Sequence, residues 1–395
     1  MNAKMDGFKV RATMAGTAGL LLMLVLSATQ AAAGTNSKYW TNAQCIHGHI
    51  LDNFHATNGS YRIQPGSSTA YEWYNVSQIY ADSTMVSEGA STYATWMNGT
   101  FSWMNQLWDA GDTNGGYFAS ANTSGTGAGG GKYVDDNSLA GNVYLDCYAI
   151  TTGVMRTNYL KAAIATAKWL ACSGQWDDKF GGGFWWDGTK QNKPTQSNGL
   201  AMQLFLRLYQ ITGQTDYRDW ANRVKSWLES RMFDAADGLY VWQITTNGTT
   251  GGFKDLTEFT YDNAIMIEAD LLYSQITTNP LYEIKAQTLA RQLNARLWDN
   301  TYGSYGFNTK DRRVNPTWCG WASQSLIKLY EVDGDTNWLN YAQRNIDFIN
   351  RNLADKAGGG FYVFCDMDGS RVDNRKEGVD QSWMQKIQAM MSRYR

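Results

Sequence analysis

Two kinds of hydrophobic pattern alternate along this chain. From Leu200 to Ile211 apolar side chains fall on nearly every side of a helix, with Leu200, Met202, Leu204, Phe205, Leu206, Leu208 and Tyr209. Such a helix is buried on most sides. From Tyr217 to Ser230 the apolar set Tyr217, Trp220, Ala221, Val224, Trp227 and Leu228 forms a single stripe with charges opposite. Such a helix has one wet face. The alternation predicts pairs made of an inner and an outer helix. Helices are expected near 39–56, 70–87, 91–110, 136–153, 157–173, 196–212, 216–231, 259–276, 281–298, 317–332, 335–353 and 377–393. The pairs are punctuated by glycine-aromatic loops: Gly115-Gly116-Tyr117-Phe118, Gly182-Gly183-Phe184-Trp185-Trp186, Gly238-Leu239-Tyr240, Gly303-Ser304-Tyr305 and Gly359-Gly360-Phe361-Tyr362. All four prolines, Pro65, Pro194, Pro280 and Pro316, fall just before or at a proposed helix start, where proline is tolerated. An open superhelix would need polar capping repeats. A closed ring needs none, so the pattern predicts an all-α toroid of six helical hairpins, (α/α)6. The first helix would pair with the last.

The N-terminus reads as a targeting segment. Lys4, Lys9 and Arg11 precede an apolar run from Gly19 to Leu26, and Ala31-Ala32-Ala33 offers a small-residue cleavage site. The expected organisation is a signal peptide over 1–33 and a single domain over 34–395, secreted and without a stable membrane anchor. A net charge of −2 argues against nucleic acid as a partner. Five cysteines fit no zinc or CxxC spacing, and Cys147, Cys172 and Cys319 lie in apolar helical patterns. No phosphate loop or metal-ligand cluster is present in the sequence, so no metal or cofactor is expected. Asn58, Asn75, Asn98, Asn122 and Asn247 stand in N-glycosylation sequons. Aromatic residues make up 14% of the chain, with 17 Trp, more than a core of this size needs. Sugar rings stack their C–H faces on aromatic planes, which makes a glycan a natural ligand.

The candidate chemistry centres on Gly129 to Tyr148. A glycine-rich lip, Gly125–Gly131, leads to two adjacent carboxylates, Asp135 and Asp136, at the start of a helical pattern. One Asp is explained as a helix cap; a second is not. Close carboxylates oppose each other's ionisation, and such a pair supplies one ionised and one protonated group, as glycoside cleavage requires. In a toroid, the loops entering the inner helices share one face with the pair. They carry Trp185-Trp186, Ser197-Asn198-Gly199, Tyr261-Asp262-Asn263 and Trp318 to Trp321.

These strings resemble glycoside hydrolase family 76, the endo-α-1,6-mannanases. The matching segments are YVDDNSLAG at 133–141, GGGFWWDG at 181–188, QSNGL at 196–200 and TYDNA at 260–264. The resemblance implies an (α/α)6 barrel, an α-mannan substrate and a retaining mechanism. It casts Asp135 as the nucleophile and Asp136 as the general acid/base. Trp185 and Trp186 are candidate stacking platforms or packing residues. Asn198 is a candidate sugar ligand or a helix cap. Tyr261 and Asp262 are candidates for the cleft wall, with Asp262 also explicable as a helix N-terminal carboxylate. The chain departs from the family where Val134, Ser138 and Leu139 surround the pair and where Tyr261-Asp262-Asn263-Ala264 replaces Tyr-Asn-Gln-Gly. Two other readings stay open on the same residues: a transglycosylase and a non-catalytic glycan-binding protein. Sugar epimerases of this toroid type need inner-face histidines, whereas His47, His49 and His55 all fall in the first predicted helix. A monomer is expected.

Overall fold

The computed structural model describes residues 38–247 and 250–394, so the expected leader lies outside the described residues. Twelve α-helices dominate the described residues. They are α1 (Lys38–Asn53), α2 (Glu72–Ser87), α3 (Ala94–Met104), α4 (Val134–Ile150), α5 (Gly153–Cys172), α6 (Thr195–Thr212), α7 (Thr215–Trp227), α8 (Thr260–Thr277), α9 (Pro280–Leu297), α10 (Gly320–Asp333), α11 (Thr336–Asn352) and α12 (Gly378–Ser392). The even-numbered helices pack each on the next, and α12 returns to α2, which closes the ring. Outside it, α3, α5, α7, α9 and α11 back α2, α4, α6, α8 and α10, and α1 backs α12. The pairing of the first helix with the last follows the sequence expectation.

Burial follows the two hydrophobic patterns. In α6 every residue from Thr195 to Leu206 is buried, whereas α7 buries only Tyr217, Trp220, Ala221, Val224 and Trp227. Burying one aromatic or aliphatic side chain is worth about 1.5–3 kcal/mol, so the continuous apolar wall between the two rings dominates stability. Some predicted boundaries move. The helix expected over 91–110 ends at Met104, and the first helix ends at Asn53, leaving His55 beyond it. Of the cysteines in apolar helical patterns, Cys147 and Cys319 are buried and Cys172 is exposed.

The glycine-aromatic loops are a repeated device. The structure adds a sixth, Gly59-Ser60-Tyr61, to the five legible in sequence. In each, the first glycine has positive φ, for example 75° at Gly115 and 121° at Gly182, a conformation that other residues adopt only with strain. The aromatic residue that follows is clamped by an amide at the fourth position of an inner helix. Asn198 of α6 accepts from the N–H of Phe184 (2.7 Å) and donates to the carbonyls of Phe184 (3.1 Å) and Pro194 (2.8 Å). Asn75, Asn137, Asn263 and Gln381 make the same three bonds to Tyr61, Tyr117, Tyr240 and Phe361 and to the residue four before themselves. The repeat at α10 differs. There Asn345 of the outer helix α11 holds Tyr305 and also donates to Ser323, which occupies the fourth position of α10. Asn75, a sequon residue, is fully buried in its clamp.

Short paired strands of two or three residues grow from these loops, as at 69–71 with 120–122 and 243–245 between 192–194 and 253–255. The Gly125–Gly131 lip is tied at its base: Ser120 and Gly129 exchange backbone hydrogen bonds, and Ala119 N–H donates to Gly131.

Candidate active site

The clamps bring the first turns of the inner helices to one end of the ring. There an open cleft of about 640 Å³ is lined by the first turns of α2, α4, α6 and α12 and by the 315–318 and 363–377 segments.

Asp135 and Asp136 are the second and third residues of α4, so they sit inside its first turn. The N-cap position belongs to Tyr133, which is extended, and its side chain makes no cap bond. Neither aspartate is therefore an N-cap residue. The N–H of Val134 donates to the carbonyl of Trp186 (2.8 Å), which ties the Trp186 loop to the start of the helix. The indole Nε1 of Trp186 then donates to both carboxylate oxygens of Asp135, at 2.9 and 3.1 Å. The backbone N–H of Asp136 adds a third donor to Asp135 Oδ1 at 3.1 Å. Trp186 also packs against Tyr133 at 4.7 Å between ring centroids.

The two carboxyls consequently differ. Burial raises Asp135, and the Trp186 and Asp136 donors hold it back, to about 6. Burial raises Asp136 well above the usual carboxylate range, and the charge of Asp135 adds to the effect. Hydrogen bonds to an ionised carboxyl favour that form, while burial disfavours it. Asp135 is the carboxyl of the pair built to carry charge, and Asp136 the one built to keep its proton.

A third carboxyl, unnoticed in the sequence, lies close by. Glu72, the first residue of α2, is fully buried with no partner for either oxygen among the described residues. Burial, then Asp136 and Asp135, push it well above its ordinary value. Also lining the cleft, Asp380 accepts from Thr317 N–H (3.2 Å) and Oγ1 (2.7 Å), and burial raises it to about 8. Trp73 and Trp318 stack at 5.7 Å and 24° along the cleft, and Tyr74 donates from its hydroxyl to Glu377 (2.6 Å).

Of the residues nominated from sequence, Asp135, Asp136 and Trp186 line the cleft. Four others do not. Trp185 is buried, donates from Nε1 to Asp177 (2.7 Å) and lies under the Lys193 ammonium (4.4 Å), so it packs the loop instead of facing the cleft. Asn198 spends its amide on the Phe184 clamp. Tyr261 is covered by Trp318 (4.8 Å) and Phe259 (5.2 Å). Asp262 is fully buried; burial raises it well above the usual range, the backbone N–H of Gln196 holds it back, and the charge of Asp135 adds to the rise. Sequence reading missed Trp73, Tyr74, Gln196 and Glu377. A regular signal marks the first three: they hold the second or third position of an inner helix, as the aspartate pair does. None of the three histidines lines the cleft.

A family model described as Glycosyl hydrolase family 76 matches residues 25–309. Mannan endo-1,6-alpha-mannosidase DCW1 of Candida glabrata is 30% identical over 118 residues, which cover 27% of this chain and 26% of that protein. The aligned stretch thus spans about a quarter of that relative. Among solved structures, the GH76 alpha-mannanase of Bacteroides thetaiotaomicron has a TM-score of 0.79 at 18% identity, covering 92% of this chain and 98% of that one. An inactive double Asp-to-Asn variant of the α-1,6-mannanase GH76A of Salegentibacter sp., in complex with α-1,6-mannotriose, has a TM-score of 0.72 at 18% identity, covering 90% and 98%.

Proposed function

Since the chain belongs to glycosyl hydrolase family 76, we propose that it hydrolyses α-1,6-mannosidic linkages in mannan with retention of configuration. The observation that carries this reading is the unequal treatment of two adjacent carboxyls in one open cleft: among the described residues Asp135 has three N–H contacts and Asp136 has none. Retention needs an ionised carboxylate to attack the anomeric carbon and a protonated one to release the leaving oxygen. Asp135, steadied by Trp186 and by the positive end of α4, is the nucleophile. Asp136 protonates the departing sugar oxygen and then, as a carboxylate, draws the proton from the water that hydrolyses the glycosyl-Asp135 ester. Trp186, Tyr133, Trp73 and Trp318 supply aromatic surface around the pair, and an open cleft suits a polymer. The substrate named for the relatives agrees with this chemistry, and an inactive variant of one of them carries two Asp-to-Asn changes.

The expected location is outside the cell, released by the 1–33 leader, and the expected state is a monomer without a cofactor. The test is product analysis on linear α-1,6-mannan. Nuclear magnetic resonance of the first product should show the α-anomer before mutarotation, with new reducing ends. Immediate β-anomer would overturn retention, and elongated chains in place of reducing ends would identify a transglycosylase.

A further inference from the structure

Gln196 is the second residue of α6, the same register that Asp135 holds on the neighbouring α4. It lines the cleft and is only 8% exposed. Its side-chain amide makes no hydrogen bond to any described residue, whereas its neighbours Thr195 and Asn198 bond to carbonyls and Asn198 also accepts from an N–H. Buried amides in folded proteins are almost always paired. Gln196 as a residue is nine-tenths buried, and its amide, which has no partner among the described residues, meets the cleft; that points to a ligand that pairs with it.

The chemistry of that ligand follows from position. Asp135 attacks the anomeric carbon from the face opposite the leaving oxygen. In an α-mannoside chair the axial 2-hydroxyl lies on that same attacked face, on the adjacent carbon. Gln196 lines the same cleft as Asp135 from the equivalent position of the helix packed beside α4, which puts an amide on the side of the cleft that this hydroxyl faces. A hydroxyl can both donate and accept, as an amide can, whereas the ring oxygen only accepts. Hydrogen bonds to the 2-hydroxyl also strengthen toward the transition state.

We propose that Gln196 is a specificity-determining residue that hydrogen-bonds the axial 2-hydroxyl of the mannose whose bond is broken. This rests on Asp135 as the nucleophile of an α-mannosidic cleavage. It makes Gln196 a reader of manno over gluco configuration, since the gluco 2-hydroxyl is equatorial and points away from the attacked face.

The test is a cycle of two enzymes and two substrates: wild type and Gln196→Ala, each with a fluorogenic α-1,6-mannooligosaccharide and its analogue lacking the 2-hydroxyl at the reacting sugar. Gln196→Ala should lower kcat on the full substrate by about tenfold or more with little change in KM, as for an interaction made mainly in the transition state. On the 2-deoxy analogue it should cost almost nothing, because the partner is already gone. Equal losses on both substrates, or no loss on either, overturn the proposal. Gln196→Glu, of the same shape, is carried through the same cycle in case the alanine variant folds poorly by circular dichroism. Wild type that cleaves the full substrate while the losses add defeats only this inference. Wild type that leaves α-1,6-mannan intact defeats the parent reading and this one with it.

Discussion

The first turns of α4 and α8 are near copies. One reads Val134-Asp135-Asp136-Asn137 and the other Thr260-Tyr261-Asp262-Asn263. Both carry the clamping asparagine at the fourth position and an aspartate at the third. Both aspartates are raised well above their usual range by burial first. Yet one turn lines the cleft and the other lies under Trp318, Phe259 and Phe307. The second position separates them. On α4 it is a carboxyl held by the Trp186 indole; on α8 it is a tyrosine that joins an aromatic cluster with Phe259, Phe307 and Trp318. Helix register decides which way a side chain points, and the cover above it decides whether it can do chemistry.

The largest effect should come from converting the α4 turn. Asp135→Asn should lower turnover on α-1,6-mannan by roughly four orders of magnitude or more, since it removes the attacking group. Asp136→Asn should spare substrates with good leaving groups, which need little protonation, while slowing deglycosylation. Azide should then rescue Asp136→Asn more readily than Asp135→Asn, with retained configuration. Wild-type rates in both variants would reduce the pair to ordinary residues of a helix start.

The clamps come next. Asn198→Ala removes three buried hydrogen bonds and leaves the N–H and C=O of Phe184 unpaired, a loss of roughly 3–5 kcal/mol at about 1 kcal/mol per bond plus the penalty for unpaired groups. Asn137→Ala should cost as much stability, and it should also lower activity in the folded fraction because it loosens the turn bearing the pair. Urea unfolding with parallel kinetics checks both, and equal activity in the two variants would remove the distinction.

A smaller change should follow from Trp186→Phe, which keeps the ring and deletes the indole donor. Asp135 then loses two contacts that favour its ionised form, so its pKa rises above about 6. Asp135 must be ionised to attack, so the acidic limb of the kcat/KM profile should move to higher pH, with little change at its alkaline side. An unshifted limb would show that the indole does not tune this carboxyl.

The smallest effect concerns the buried partner. Asp262 has a folded pKa above its unfolded value, so the folded state holds its proton more tightly. That contribution is present below about pH 4, the unfolded value, and is lost as pH rises toward the folded value. Asp262→Asn removes this slope, and its Tm should exceed that of wild type at pH 7 while matching it near pH 4. A Tm that drops equally at both pH values would mean that the carboxyl makes a favourable native contact.

The ring was written into the sequence because its cause is local and repeated. Two hydrophobic periods, set by one or by several buried faces of a helix, need no knowledge of the partner to be read, and the glycine that each loop requires for positive φ recurs on schedule. The aspartate pair was legible for a similar reason: adjacent like charges at a helix start are unusual whatever surrounds them. What burial covers could not be read in the same way. Trp185 and Trp186 are neighbours of one type, yet Trp186 meets Asp135 while Trp185 is drawn under Lys193, a residue eight positions away along the chain. Asn198 reads as a sugar ligand in the sequence, yet Phe184 claims its amide, while Gln196, two positions earlier, meets the cleft with its amide unpartnered among the described residues. Each of these outcomes depends on which atoms from distant segments arrive within about 3 Å, and only the closed ring sets those distances.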